Sequence, residues 1–204
     1  MHLFAGRGTD RRSWGRQHGF FGCGGAWARV TEMALLLTVF GSAAVPVSAS
    51  GSLLSNYSFE EPLAGDGTIP GWTPFANGAW MSLVREHATD GEWALKVSDA
   101  NTKQSVGMRS APVPVTPGAQ YAVLADVYLE SGSAMLYLEF WDAQGKRIES
   151  ALKTASASGT ERAVQMVVEN TAPAEAVTVT VLLYCSVPNQ GVAYFDNIYL
   201  EKWD

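Results

Sequence analysis

Ala134-Met-Leu-Tyr-Leu-Glu-Phe-Trp141 alternates without a break. In an extended chain Leu136, Leu138 and Phe140 fall on one face, and Met135, Tyr137, Glu139 and Trp141 on the other. The same period runs through Tyr121–Leu129, Ala163–Val168 and the β-branched stretch Ala176–Tyr184. Shorter segments at Ala79–Val84 and Trp93–Val97 fit strands as well. Turn signals fall between them: Asp90-Gly91, Thr116-Pro-Gly118, Ser131-Gly132, Asp142-Ala-Gln-Gly145, Ser158-Gly159 and Pro188-Asn-Gln-Gly191. Lys153–Gly159 is small and polar and reads as a surface loop. Short strands at regular spacing, with no helical crossover pattern, predict an all-β, antiparallel two-sheet sandwich and exclude a parallel α/β sheet.

The two ends of this β region form a matched pair. Leu53-Leu-Ser-Asn-Tyr-Ser-Phe-Glu60 opens it, and Gly191-Val-Ala-Tyr-Phe-Asp-Asn-Ile-Tyr-Leu200 closes it. Each is an apolar, strand-like run with an acid in it. First and last strands that lie side by side bring Glu60 and Asp196 together. Close carboxylates call for a cation, or for hydrogen bonds from loop amides.

Residues 1–49 differ from the rest. Five arginines precede Met33-Ala-Leu-Leu-Leu-Thr-Val-Phe40, and a small, breaking stretch ends at Ala49. A basic region, a short apolar core and a small-x-small end describe a secretory signal, with cleavage expected near Ala49–Ser50. The apolar core is about half of the ~20 residues that span a bilayer, so no membrane anchor is expected after cleavage. Met33 is an alternative start. Residues 50–204 then make one domain. They hold nine Lys or Arg against eighteen Asp or Glu, a formal charge of −9 where the whole chain has −6. That surface argues against nucleic acid and suits a neutral ligand or a cation. Cys23 leaves with the leader. Cys185 stays alone and reads as a small buried hydrophobe.

Alternation also nominates a ligand face. Tyr137, Glu139 and Trp141 share one side of their strand, Asp126 and Tyr128 one side of theirs, and Thr178, Thr180, Leu182 and Tyr184 one side of a third. If the three strands are neighbours, one groove carries Asp126, Tyr128, Tyr137, Glu139, Trp141 and Tyr184. A few polar groups among aromatic walls is the pattern of a small-ligand site. The same aromatics also stabilise sheets simply by pairing across strands. Trp72, after Pro70-Gly71, reads as a core anchor. A glycosidase needs two carboxylates roughly 5–10 Å apart, which Asp126 and Glu139 meet only on adjacent strands. His87 lies in a polar loop. No Ser-His-Asp spacing, zinc cluster or phosphate loop is present, so no enzyme is expected.

The order of motifs resembles a known family. Asn56-x-x-Phe59-Glu60, Gly71-Trp72, Gly91-x-x-Ala94-Leu95-Lys96-Val97, Pro117-Gly118-x-x-Tyr121, Phe140-x-Asp142-x-x-Gly145 and Phe195-Asp196-Asn197-Ile198 follow one another as in CenC-like carbohydrate-binding modules. The resemblance covers nearly all of Leu53–Leu200. It implies a galactose-binding-like jelly roll and noncatalytic binding of a polysaccharide or oligosaccharide. It also implies a structural Ca2+ held by Glu60 and Asp196, with loop carbonyls near Asp90 and Trp93 completing the shell. Such modules usually accompany a glycan-degrading enzyme, and no catalytic domain is present in this sequence. Two rival classes are a small glycan hydrolase or lyase (or a fragment of one), and a cell-envelope adhesion domain whose aromatics are buried or blocked by a loop.

Overall fold

The computed structural model describes residues 51–185, 187 and 189–203. The leader over 1–49, its cleavage point and Cys23 lie outside the described residues. The described residues belong to one compact unit, Ser48–Asp204.

Ten strands carry the fold: β1 (Trp72–Ala76), β2 (Met81–Val84), β3 (Ala94–Asp99), β4 (Val106–Ser110), β5 (Val113–Pro114), β6 (Gln120–Trp141), β7 (Lys153–Ser158), β8 (Arg162–Thr171), β9 (Thr178–Cys185) and β10 (Gly191–Trp203). Among the described residues the only helical turns are two short 3₁₀ segments, Gly78–Trp80 and Glu149–Ala151. Among the described residues every strand pair is antiparallel. The first sheet runs β1-β4-β9-β6-β7, with β5 also on β9. The second runs β2-β3-β10-β6-β8. The expected antiparallel two-sheet sandwich is what forms, in a jelly-roll arrangement.

One strand belongs to both sheets. Residues 120–132 of β6 pair with β10 and β8, while residues 133–141 pair with β7 and β9. Ser131-Gly132 had the look of a turn between two strands; it is instead a corner in a single 22-residue strand. Gly132 has φ +77, and a Cβ there would fall 2.0 Å from the Gln190 carbonyl oxygen. Only glycine lets the backbone change sheets against its neighbour.

The inward positions match the alternation. Leu136, Leu138 and Phe140 of β6 meet Val179, Val181 and Leu183 of β9, and across the sandwich Leu95, Val97, Phe195 and Leu200 are buried. Each such side chain contributes about 1.5–3 kcal/mol by leaving water. Trp72 is a buried anchor: its ring packs on Phe59 and its indole N–H donates to the Asn56 carbonyl at 3.0 Å. Cys185 is buried, and desolvation, with Asp99 nearby, pushes its thiol up to about 12.

Two expectations are corrected. Residues 53–60 are not a strand but a chain of turns. Asn56 and Phe59 have φ +49 and +60, and the Asn56 side chain binds the Pro70 carbonyl and the Glu61 N–H. Asparagine tolerates this backbone by bonding locally. The segment does lie beside β10, through Leu53 N–H to Leu200 O and Ile198 N–H to Tyr57 O, both 2.8 Å. Lys153–Ser158, read as a loop, is the edge strand β7; its small polar residues are mostly exposed and gave no apolar period.

Candidate functional site

The outer face of the first sheet carries Tyr137, Glu139 and Trp141 from β6 beside Leu182, Thr180 and Thr178 from β9, in register. Tyr184 lies one pair further on, opposite Gly107 of β4. A Cβ on Gly107 would sit 2.7 Å from the Tyr184 ring, so the glycine makes room for that aromatic. Tyr184 meets Tyr137 edge-on at 5.5 Å and Phe75 at 5.7 Å. Phe75 stands at the irregular step of β1 and is 45% exposed.

Glu139 lies at the base of this face, with no exposed surface. Three groups hold it. Arg109 donates from Nε (2.7 Å) and Nη2 (3.2 Å), Arg147 donates from Nη1 (2.7 Å), and the Thr180 hydroxyl donates at 3.1 Å. The Trp141 indole N–H in turn donates to Thr180 Oγ1 at 2.8 Å. A buried carboxylate is tolerated only when paired this fully. The Arg109 guanidinium lies 4.6 Å from the Phe75 ring centre and 5.1 Å from that of Trp141. Aromatic faces, guanidinium and carboxylate therefore fix one another. Beside them a cavity of about 490 Å³ is lined by Thr73, Pro74, Phe75, Arg109, Trp141 and Thr180 among others. Burial and the neighbouring Tyr184 push the Tyr137 phenol above its ordinary range. It stays a neutral hydroxyl that can donate or accept.

Asp126 and Tyr128 are not on this face. They lie in the half of β6 that belongs to the second sheet, in register with Gln165 and Ala163 of β8. The single six-residue groove expected from alternation is thus divided in two. Alternation tells which side of a strand a residue takes, but not that the strand changes sheets at Gly132. A loop also comes over the second face. His87, with φ +60, lays its ring flat on Tyr128 at 3.6 Å and meets Tyr194 edge-on at 4.6 Å.

Glu60 and Asp196 do reach a common element, the loop at 89–93. Asp196, 1% exposed, takes the N–H of Thr89 (2.5 Å) and of Asp90 (2.9 Å) on Oδ2, and the Ser58 hydroxyl (2.9 Å) on Oδ1. Glu60 Oε1 takes the N–H of Glu92 and of Trp93, both 2.8 Å. The Ser58 hydroxyl shares its one proton between Asp196 Oδ1 and the Asp90 carbonyl, 2.5 Å away. Among the described residues no group of three or more His, Cys, Asp or Glu is placed to hold a metal. The loop aims N–H donors, not carbonyls, at the two carboxylates. These residues form a hydrogen-bonded clasp.

A family model for a carbohydrate binding domain matches residues 51–183, most of the described region. The chain belongs to the carbohydrate binding domain family. Among curated proteins none matches it. Similar solved folds include the enzymatically active domain of bacteriophage CBA120 tailspike protein 4, at 12% identity and TM-score 0.61, over 74% of this chain and 21% of that one. This carbohydrate binding domain thus spans about a fifth of the tailspike chain. Another is TmCBM61 in complex with β-1,4-galactotriose, at 18% identity and TM-score 0.52, over 76% of this chain and all of that one. A third is the CBM22-1 xylan-binding domain of Paenibacillus barcinonensis Xyn10C, at 17% identity and TM-score 0.52, over 74% and 95%. At these identities the likeness is one of fold.

Sequence reasoning missed several residues on the carbohydrate binding domain's first face. Phe75 sits in a short irregular strand, and Arg109 in a strand interrupted by Gly107. Arg147 follows the Asp142–Gly145 turn, from which it folds back over Glu139. The one signal for them was Glu139 itself: an acid at an apolar-strand position needs cations, and few bases precede and follow it closely.

Proposed function

We propose that this domain binds a polysaccharide chain without cutting it, outside the cell, through the outer face of the first sheet. The observation that carries the reading is the row of Phe75, Tyr184, Tyr137 and Trp141, with the Arg109 guanidinium against Phe75 and Trp141 and that of Arg147 beside it on Glu139. Pyranose rings offer C–H faces that stack on aromatics, while their hydroxyl and ring oxygens take N–H donors at fixed places. Arg109 and Arg147 are held by Glu139 before a ligand arrives, so binding does not have to order them. Within the family, the motif order favours a CenC-like member.

Hydrolysis is the weaker reading. Glu139 is enclosed by Arg109, Arg147 and Thr180, and Asp126 stands on the other sheet. Neither supplies the facing carboxylate pair that glycosidases need, about 5–10 Å apart. A reducing-sugar assay across polysaccharides decides between the two; release of sugar overturns the noncatalytic reading. An envelope scaffold would have its aromatics blocked, as Tyr128 is under His87, whereas Phe75 stays exposed.

Secretion through residues 1–49, and action beside a separate glycan-degrading enzyme, complete the proposal. Among the described residues no helix is long and apolar enough to cross a membrane. Protein recovered from the medium and beginning at Ser50 is the expected result. Calcium at Glu60 and Asp196 is a separate proposal. A melting temperature lowered by chelator and restored by Ca2+ supports it; no change removes it and leaves the clasp.

The direct test is electrophoresis of the chain through gels holding soluble xylan, β-glucan, mannan or pectin. Retardation by one polysaccharide, lost in Trp141→Ala, is expected. Mobility unchanged on all four overturns the reading.

A further inference from the structure

The second sheet's outer face repeats the elements of a ligand site with the opposite polarity. Between the loop at 87–89 and β8 lies a cavity of about 480 Å³, whose walls include His87, Thr89, Asp126, Tyr128, Ala163 and Gln165. That volume falls in the range of small-molecule sites, about 300–1,000 Å³. Ala163 stands opposite Tyr128 across the strands, so a methyl group forms the floor where a larger residue would fill the space. His87 is exposed. One face of its ring rests on Tyr128 at 3.6 Å with 9° between planes, which leaves the ring as a fixed shelf. A non-glycine residue at φ +60 is held there against its own preference.

The polar groups converge beside that shelf. Asp126 Oδ1 takes the Gln165 side-chain N–H at 3.1 Å, which leaves the Gln165 carbonyl oxygen as an acceptor. Asp126 Oδ2 takes Thr89 Oγ1 and Asn197 Nδ2, each at 3.1 Å. A carboxylate oxygen has more lone pairs than these bonds use. The pocket is thus rich in acceptors and carries a negative charge, whereas the first face offers guanidinium donors.

We propose that this pocket is a second saccharide site, independent of the first and specific for uncharged sugars. Hydroxyl groups donate to Asp126 and to the Gln165 carbonyl, and a pyranose C–H face rests on His87. Sugar acids are repelled by Asp126. The ligand class rests on the function proposed above; the site does not. With a site on each outer face, one molecule bridges two glycan chains.

The test is an NMR titration of the ¹⁵N-labelled full chain with xylohexaose, cellohexaose, mannohexaose and β-1,4-galactotriose in turn. Two clusters of shifted amides are expected with at least one of them, one around Trp141 and Thr180, the other around Thr89, Asp126 and Gln165. Gln165→Ala, an exposed change that leaves the backbone in place, should remove the second cluster alone; His87→Ala should do the same. Trp141→Ala should remove the first alone. Shifts confined to the first cluster overturn the second site and leave the proposed function standing. Second-cluster shifts that vanish in Trp141→Ala also overturn it, because they would be relayed through β6. Second-cluster shifts alone support this site and overturn the first. Silence from both clusters with all four probes overturns both.

Discussion

The two outer faces of the sandwich begin from the same strand and the same kind of residues, yet end as different surfaces. On one half of β6 the pattern is Tyr137, Glu139, Trp141; on the other it is Asp126, Tyr128. Both place an acid among aromatics at alternate positions. On the first face the acid is sealed under two arginines and the aromatics border an open cavity. On the second the acid reaches solvent-side partners and a loop lays His87 over the tyrosine. A strand's alternation therefore selects candidates, but what comes over the strand from elsewhere in the chain decides what each face offers.

The largest test of that contrast is Glu139→Gln. It leaves Arg109 and Arg147 without the carboxylate that balances them, and should cost about 3 kcal/mol in urea unfolding, less than a wholly buried pair because both arginines touch solvent. An effect under about 1 kcal/mol would put this acid in the same class as half-buried Asp126. Asp196→Asn comes next. It places an amide where the loop presents N–H donors, and should cost about 2 kcal/mol. It should also free the 87–93 loop, seen as faster hydrogen exchange at Thr89 and Asp90. Unchanged exchange would mean that His87 is held by stacking and not by the clasp.

His87→Gly is nearly silent in stability. It relieves a left-handed residue and gives up a ring stack, two effects of opposite sign, so thermal unfolding should move by less than about 1 kcal/mol. Tyr128 fluorescence quenching by acrylamide should rise all the same. The smallest effect is alkaline. Burial raises the phenol of Tyr137 on one face and of Tyr194 on the other above 10.0. The folded chain then keeps these protons longer than the unfolded one. Their contribution is complete below pH 10 and falls as pH rises toward the folded values. Tyr137→Phe should flatten part of that decline and Tyr194→Phe a further part, with Tyr57, raised beside Asp90, contributing as well. If Tyr137→Phe alone flattens it, the second face is the more open of the two.

Most of the fold was legible in the sequence. Leu136, Leu138 and Phe140 went inward because periodicity reports burial directly, and Trp72, read as an anchor from its place after Pro70-Gly71, is in the core. The division of the site was not legible. Gly132 reads equally as a turn or as a corner, and only the presence of β10 against it selects the corner. Residues 53–60 look like a strand by composition, yet the Asn56 side chain satisfies the backbone locally and curls it. The clasp was half legible. Glu60 and Asp196 do converge on one loop and take its amides, one of the two partner types open in the sequence, but residue type could not choose between amides and a cation.

The seam between residues 53–57 and β10 sets how the domain carries load. Leu53 bonds Leu200 and Tyr57 bonds Ile198, so the two segments run antiparallel and the flanking chain leaves both at the same end. Tension applied across those exits would open the bonds singly, like a zip, and not all together in shear. A domain attached through both exits would therefore yield at this seam first, while the first sheet stays folded.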